Sequence, residues 1–172
     1  REWSGLVDLP MYKVADPGWI SQSGVASTLL ASLGSTGYSR TLDNRIGFWR
    51  FFGANDLDLD ALVGEFQTHW RILDTTYKPW PSCRWNHYPM TAFSALQRKR
   101  ALKWQDIDRI VVRANPFAVS PRFHVQQPDQ MISAEFSHAH SIAMLAFDVP
   151  VGPQWYSDEW MNNSDVQKFR GK

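Results

Sequence analysis

The chain has 172 residues, of which 44% are hydrophobic and 20% charged, the balance of a single globular core able to support itself rather than of a disordered tail or a fibre. Eighteen Lys and Arg against seventeen Asp and Glu leave a net charge of +1, with no block of one sign long enough for a nucleic-acid groove or a polybasic membrane anchor. One cysteine, Cys83, excludes an internal disulfide framework and a cysteine-cluster metal site, and no apolar run reaches the roughly 20 residues of a membrane span.

The start, Arg1-Glu2-Trp3-Ser4-Gly5, is neither a signal peptide nor an initiating methionine and reads as the middle of a longer sequence. Aromatic residues make up 14% of the chain, which predicts a large buried surface that includes an interface with another chain. Asp16 as cap, Pro17 at the first helical position and Gly34 past the end predict a first helix. It carries no charged side chain between Asp16 and Arg40, and small residues interleave its apolar ones, as close helix packing requires. A second helix is predicted over Leu42 to Phe52 with Gly53 as its stop, and a third over Leu59 to Phe66. Trp70, Ile72 and Leu73 read as a short strand that runs into the rigid turn Lys78-Pro79-Trp80-Pro81. Asn86 to Leu102 has helical periodicity and crowds Arg98, Lys99, Arg100 and Lys103 into its last turn, where cations suit the helix dipole. Ile107 to Arg113 reads as a buried strand, giving a strand, helix, strand crossover. Pro128 opens a long helix to about Phe147, and the tail from Ser157 holds one or two short helical turns. The expected class is α+β: a helical part to about Gly64, then a small α/β part.

The densest polar constellation runs from Tyr77 to His87. A lysine, a thiol, an arginine and a histidine, Lys78, Cys83, Arg84 and His87, lie on a proline-stiffened loop aimed at a helix start. Orphan N–H groups and cations converge in such a place and receive a carboxylate or a phosphate. The competing reading is that Lys78 and Arg84 are solvated and His87 is a cap. Arg84 beside Cys83 favours a thiolate, yet no base and orienting group accompany it as a nucleophilic site requires, so a structural or pocket-lining thiol is expected. His138 and His140 lie on different sides of a regular helix, since two residues turn the chain by about 200°, and no metal site is expected from them. Lys13, between Leu9-Pro10-Met11-Tyr12 and Asp16-Pro17-Gly18, stands at a loop-to-helix junction like that of Lys78.

Three segments together resemble the MmgE/PrpD family of 2-methylcitrate dehydratases, cis-aconitate decarboxylases and iminodisuccinate epimerases. Met11-Tyr12-Lys13, followed by Gly18, Gly24, Leu29-Leu30-Ala31, Gly34, Gly37 and Gly47-Phe48, is similar to the family's lysine-led helix and the elements after it. Lys78-Pro79-Trp80-Pro81-Ser82-Cys83-Arg84 with His87 resembles its Lys-Pro-Tyr-Pro loop followed by arginine and histidine. Ile107 to Arg113 with Ala134-Glu135-Phe136-Ser137 resembles its strand and the Phe-Ser opening of its long helix. The resemblance implies the second half of such an enzyme: residues 1–66 as the end of an all-helical domain, and 67–172 as an α/β lid with following helices. The family's first-half aspartate and histidine motifs have no counterpart here. A second chain or a missing N-terminal segment is therefore expected to supply the helical half, in an oligomer located in the cytoplasm.

Carried over by that resemblance, Lys13, Lys78 and Arg84 bind a small carboxylate substrate and His87 and Lys78 act in catalysis, with Cys83 expected to line the substrate pocket. No cofactor is implied. Removal of a proton beside a carboxylate develops enolate-like charge that fixed cations stabilise most in the transition state. Cys83 departs from the decarboxylase branch, which has histidine at about this position, and the aromatic loop points to a substrate less polar than methylcitrate. The implied activity is a cofactor-independent lyase of the dehydratase type, or an isomerase. The alternative is a non-catalytic structural or substrate-binding subunit of a heteromeric complex.

Overall fold

A computed structural model describes residues 12–42, 47–54 and 58–172, with backbone only for Tyr12, Lys13, Val14, Leu59 and Leu62. The described residues form eight α-helices and short 3₁₀ turns, with no strand among them. The α+β expectation, with its α/β lid, is therefore corrected to an all-helical fold. By contacts the chain divides into one unit of residues 15–77 and another built on residues 78–172. No helix among the described residues is long and apolar enough to cross a membrane.

In the first unit α1 (Tyr12–Ser32) begins before the expected cap and carries Pro17 inside it. Its stop is as the sequence predicts. Gly34 takes φ +91°, its N–H reaches Ala31 O at 3.0 Å and the Ser35 N–H reaches Leu30 O at 3.0 Å, a left-handed ending that costs a glycine little. Ser21, Ser23, Thr28 and Ser32 return their hydroxyls to backbone carbonyls of the preceding turn. The expected close packing is not met among the described residues: every described side chain of the helix beyond Asp16 is exposed, Ile20 to 69%. The second helix shrinks to α2 (Phe48–Phe51), part of its expected span lying outside the described residues, and the third to α3 (Leu59–Val63).

The strand expected at Trp70 to Leu73 is a 3₁₀ turn, Arg71–Asp74. Asp74 accepts from the His69 ring at 2.8 Å and from Arg71 at 3.4 Å, and Arg71 also pairs with Glu65. The His69 hydrogen bond, ahead of the Arg71 charge, holds the Asp74 carboxyl below its ordinary range. This local clamp coils a segment whose apolar side chains, Ile72 and Leu73, have nothing to cover them among the described residues.

The second unit is built around α6 (His138–Ala146), which packs against α4 (His87–Arg100), α5 (Met131–Phe136) and α8 (Ser164–Arg170). Its sequence, His-Ala-His-Ser-Ile-Ala-Met-Leu-Ala, has no obligatory charge on any face and is buried almost all round, as such a pattern demands. Met90 and Phe93 of α4 and Val166 and Phe169 of α8 meet it in one core with Trp155 and Ile107. A short helix, α7 (Asp158–Met161), precedes α8.

The long helix expected from Pro128 to Phe147 breaks at Ser137, whose backbone is extended at φ −67°, ψ 118°. The Ser137 hydroxyl accepts from the His140 N–H at 3.0 Å and donates to Val125 O, so it caps α6 instead of extending α5. The strand expected at Ile107 to Arg113 is irregular chain with a bend at Asp108, without a partner strand among the described residues. Its one sheet-like bond runs from Ile110 N–H to Lys172 O at 3.1 Å. Strand propensity stabilises only when a neighbouring strand supplies the ladder and the covered face.

His138 and His140 each turn Nε2 to a backbone carbonyl, Ala118 at 2.6 Å and Trp155 at 2.8 Å. Both rings are buried and neutral, and His140 is pushed down to about 4, first by burial and then by the Arg170 charge. Above pH 6.5 neither the folded nor the unfolded chain protonates this ring, and no stability depends on it. Between 6.5 and about 4 the unfolded chain takes up a proton that the fold refuses, so stability falls with pH by about 3 kcal/mol in all. Urea unfolding at pH 7.5 and pH 4.5 should show this loss, and His140→Gln, which retains a donor for Trp155 O, should flatten it. An unchanged pH slope in that variant would place the acid sensitivity elsewhere.

Candidate active site

The loop from Lys78 to His87 reaches its shape through local chemistry. Pro79 and Pro81 fix two φ angles, and the Ser82 N–H bonds to Trp80 O at 2.9 Å, closing a tight turn. The buried Ser82 hydroxyl lies 3.4 Å from Met90 Sδ, which ties the turn to α4. Lys78 Nζ donates to Ser82 O at 3.2 Å, and His87 Nε2 lies 3.4 Å from the same oxygen. An ammonium and an imidazole thus meet at one carbonyl. The Trp80 ring stands nearly edge-on to His87, centroids 5.4 Å apart.

His87 is 2% exposed. Burial, then the charges of Arg84 and Lys78, pushes its pKa below the ordinary histidine value, so the ring is neutral at pH 7. Its Nδ1 is buried without a hydrogen-bond partner. Because a carbonyl only accepts, the bond to Ser82 O assigns the ring proton to Nε2 and leaves Nδ1 as the basic nitrogen.

The other expected residues are placed differently. Arg84 is exposed and lays its guanidinium 5.6 Å from the Tyr88 ring centre, one turn along the chain. It does not join the hydrogen bonds at Ser82, though its charge is felt by His87. Cys83 is a free thiol whose side chain packs, with Trp85, against Phe123, Ile132 and Phe136. Lys13 lies within α1, and its side chain is outside the described residues. Among the described residues no group of His, Cys, Asp and Glu is arranged to hold a metal ion.

Three further residues belong to this site, and no spacing in the sequence announced them. Asn86, fully buried, sends its amide to Glu135 O at 3.1 Å, Ser137 O at 3.4 Å and Ser141 Oγ at 3.0 Å. With the Cys83 N–H on Glu135 O at 2.8 Å, it fastens the loop to the break between α5 and α6. Tyr156 donates its hydroxyl to Pro81 O, and burial, with the negative charge of Glu135 adding, pushes its pKa up. Asn86 stood in the polar stretch already singled out, whereas Glu135 and Tyr156 are 49 and 75 residues from their partners on the loop. Lys78, Ser82, Glu135 and Tyr156 line one open cavity of about 360 Å³, with Pro81 and Met131 among its apolar walls.

A family model, the MmgE/PrpD C-terminal domain, matches residues 80–172, just over half of the chain. The match takes in Cys83, Arg84, Asn86, His87, Glu135 and Tyr156 and begins two residues after Lys78. No curated protein and no solved structure matches the chain.

Proposed function

The chain belongs to the MmgE/PrpD family through its C-terminal domain, and on that premise we propose that it forms part of a cofactor-independent lyase of the dehydratase type, or an isomerase, acting on a small carboxylated substrate. The observation that carries this reading is the meeting of Lys78 and His87 at Ser82 O. Lys78 receives a substrate carboxylate and stabilises the charge that develops when the neighbouring carbon loses its proton. His87, kept neutral by burial and by the cations beside it, takes that proton on Nδ1. Arg84 adds positive potential at the rim, and Cys83 shapes the wall without forming a bond. Lys13 is assigned the second carboxylate contact through the resemblance of its segment alone.

The site is completed by a helical half, from a second chain or a further segment, within an oligomer. The exposed apolar side chains Trp19, Ile20, Val25, Leu29 and Leu30 of α1 support this part of the reading. The burial of His87 favours a second reading, a subunit that binds carboxylates without turning them over.

Hydrogen exchange decides between them. The assembled enzyme, incubated in deuterium oxide with a panel of hydroxy- and amino-carboxylates and followed by proton NMR, should lose the C–H signal beside a carboxylate or release water. His87→Gln should slow this at least ~100-fold. Binding without exchange in the wild type establishes the non-catalytic subunit, and undiminished exchange in His87→Gln removes the histidine from the mechanism.

A further inference from the structure

The carbonyl at which Lys78 and His87 meet belongs to a turn that is pinned peptide by peptide. A peptide unit is planar, so hydrogen bonds to one residue's C=O and from the next residue's N–H orient the same plane. Between Ser82 and Cys83, the Cys83 N–H on Glu135 O at 2.8 Å holds the plane that carries Ser82 O. In the unit before it, the Ser82 N–H bonds to Trp80 O at 2.9 Å, and Pro81 O accepts the Tyr156 hydroxyl. The proline ring fixes only φ of Pro81, which leaves its ψ, and with it this plane, to those two bonds.

Tyr156 is itself firmly held. It ends the 3₁₀ turn Pro153–Tyr156. Its ring stacks on His140, centroids 5.8 Å apart, and His140 Nε2 donates to the neighbouring Trp155 O at 2.8 Å. Burial pushes the phenol pKa up, so the hydroxyl keeps its proton and remains a donor at neutral pH.

We infer that Tyr156 is a positioning residue of this site: by holding the Pro81–Ser82 peptide it sets how Ser82 presents its carbonyl to His87 Nε2, which keeps the ring proton on that nitrogen and leaves Nδ1 as the base. This inference rests on the reading of His87 as the base and adds the group that sets its tautomer. The phenol acts through the turn and not on the substrate. A carbonyl that swings away from Nε2 no longer selects between the two ring nitrogens, and the form with its proton on Nδ1 has no lone pair there to receive another.

Nitrogen-15 NMR of the histidine rings, recorded on the full chain in its native assembly at neutral pH, tests it. In the wild type the His87 proton should reside on Nε2. Tyr156→Phe, which removes one oxygen and leaves the ring, should raise the share of the Nδ1–H form about 5-fold, the weight of one hydrogen bond. Deuterium exchange into the carboxylate panel should slow about 10-fold in the same variant, as misplacement of a reacting group does. His140, bonded to Trp155 O, is the control for folding in the same spectrum and should keep its proton on Nε2. An unchanged His87 tautomer in Tyr156→Phe overturns the inference and leaves the base reading standing. Disturbance of His140 together with His87 also overturns it, because the phenol is then a prop of the fold at large. A shifted tautomer with undiminished exchange upholds the positioning and removes His87 as the base, whereas a wild-type His87 proton on Nδ1 overturns both.

Discussion

Replacing Lys78 by methionine should lower kcat/KM of the assembled enzyme by at least ~100-fold, a loss of roughly 2.7 kcal/mol in transition-state stabilisation. The lysine stem is exposed and its ammonium makes one hydrogen bond among the described residues, to Ser82 O, so the substitution should leave folding almost untouched. What disappears is the cation nearest the carboxylate whose neighbouring carbon becomes negative as its proton leaves. Cys83→Ala should cost far less, because the thiol packs against Phe123, Ile132 and Phe136. A covalent mechanism demands the reverse order, with turnover abolished by thiol alkylation and by Cys83→Ala. Steady-state kinetics on the two variants side by side therefore discriminate. An inactive Cys83→Ala beside a nearly normal Lys78→Met would reassign the chemistry to the thiol.

The largest stability effect is expected at Asn86. Its amide is fully buried and serves two main-chain carbonyls and a hydroxyl at the junction of α5 and α6. Asn86→Leu strips those acceptors of their donor in a place water does not reach, which costs about 3 kcal/mol, a large part of the roughly 5–15 kcal/mol by which domains are stable. Asn86→Asp has nearly the same shape but, ionised, presents oxygens to acceptors, and should be at least as damaging at pH 7. Both follow from urea unfolding at fixed pH. If Asn86→Leu stays within about 1 kcal/mol of the wild type, the loop is held by its prolines and by Tyr156, and the amide is not its anchor.

Much of the helical content and of the candidate site was legible without coordinates, because it depends on contacts between near neighbours in the chain. Gly34 and Gly53 stop their segments with positive φ, the basic cluster from Arg98 to Arg100 sits in the last turn of α4, and the turn joining Lys78, Ser82 and His87 closes within ten residues. The break at Ser137 was available in principle, since a serine three residues before its bonded N–H is a cap signal, but the apolar periodicity on both sides of it argued for one helix.

The strands failed for a different reason. Val111, Val112 and Ile110 have the side chains of a strand, yet a strand exists only where another supplies donors and acceptors along its edge, and among the described residues none does. The site divides along the same line. Local sequence determined the loop that presents Lys78 and His87, and with it the charge a substrate would meet. Arg84 turns onto Tyr88 by a contact one turn along the chain, whereas tertiary packing decided that Cys83 faces an apolar cluster and that Asn86 locks the loop to α5. It also placed Glu135 and Tyr156 in one cavity lining with Lys78, through hydrogen bonds to the loop that span 49 and 75 residues of sequence and that no local pattern specifies.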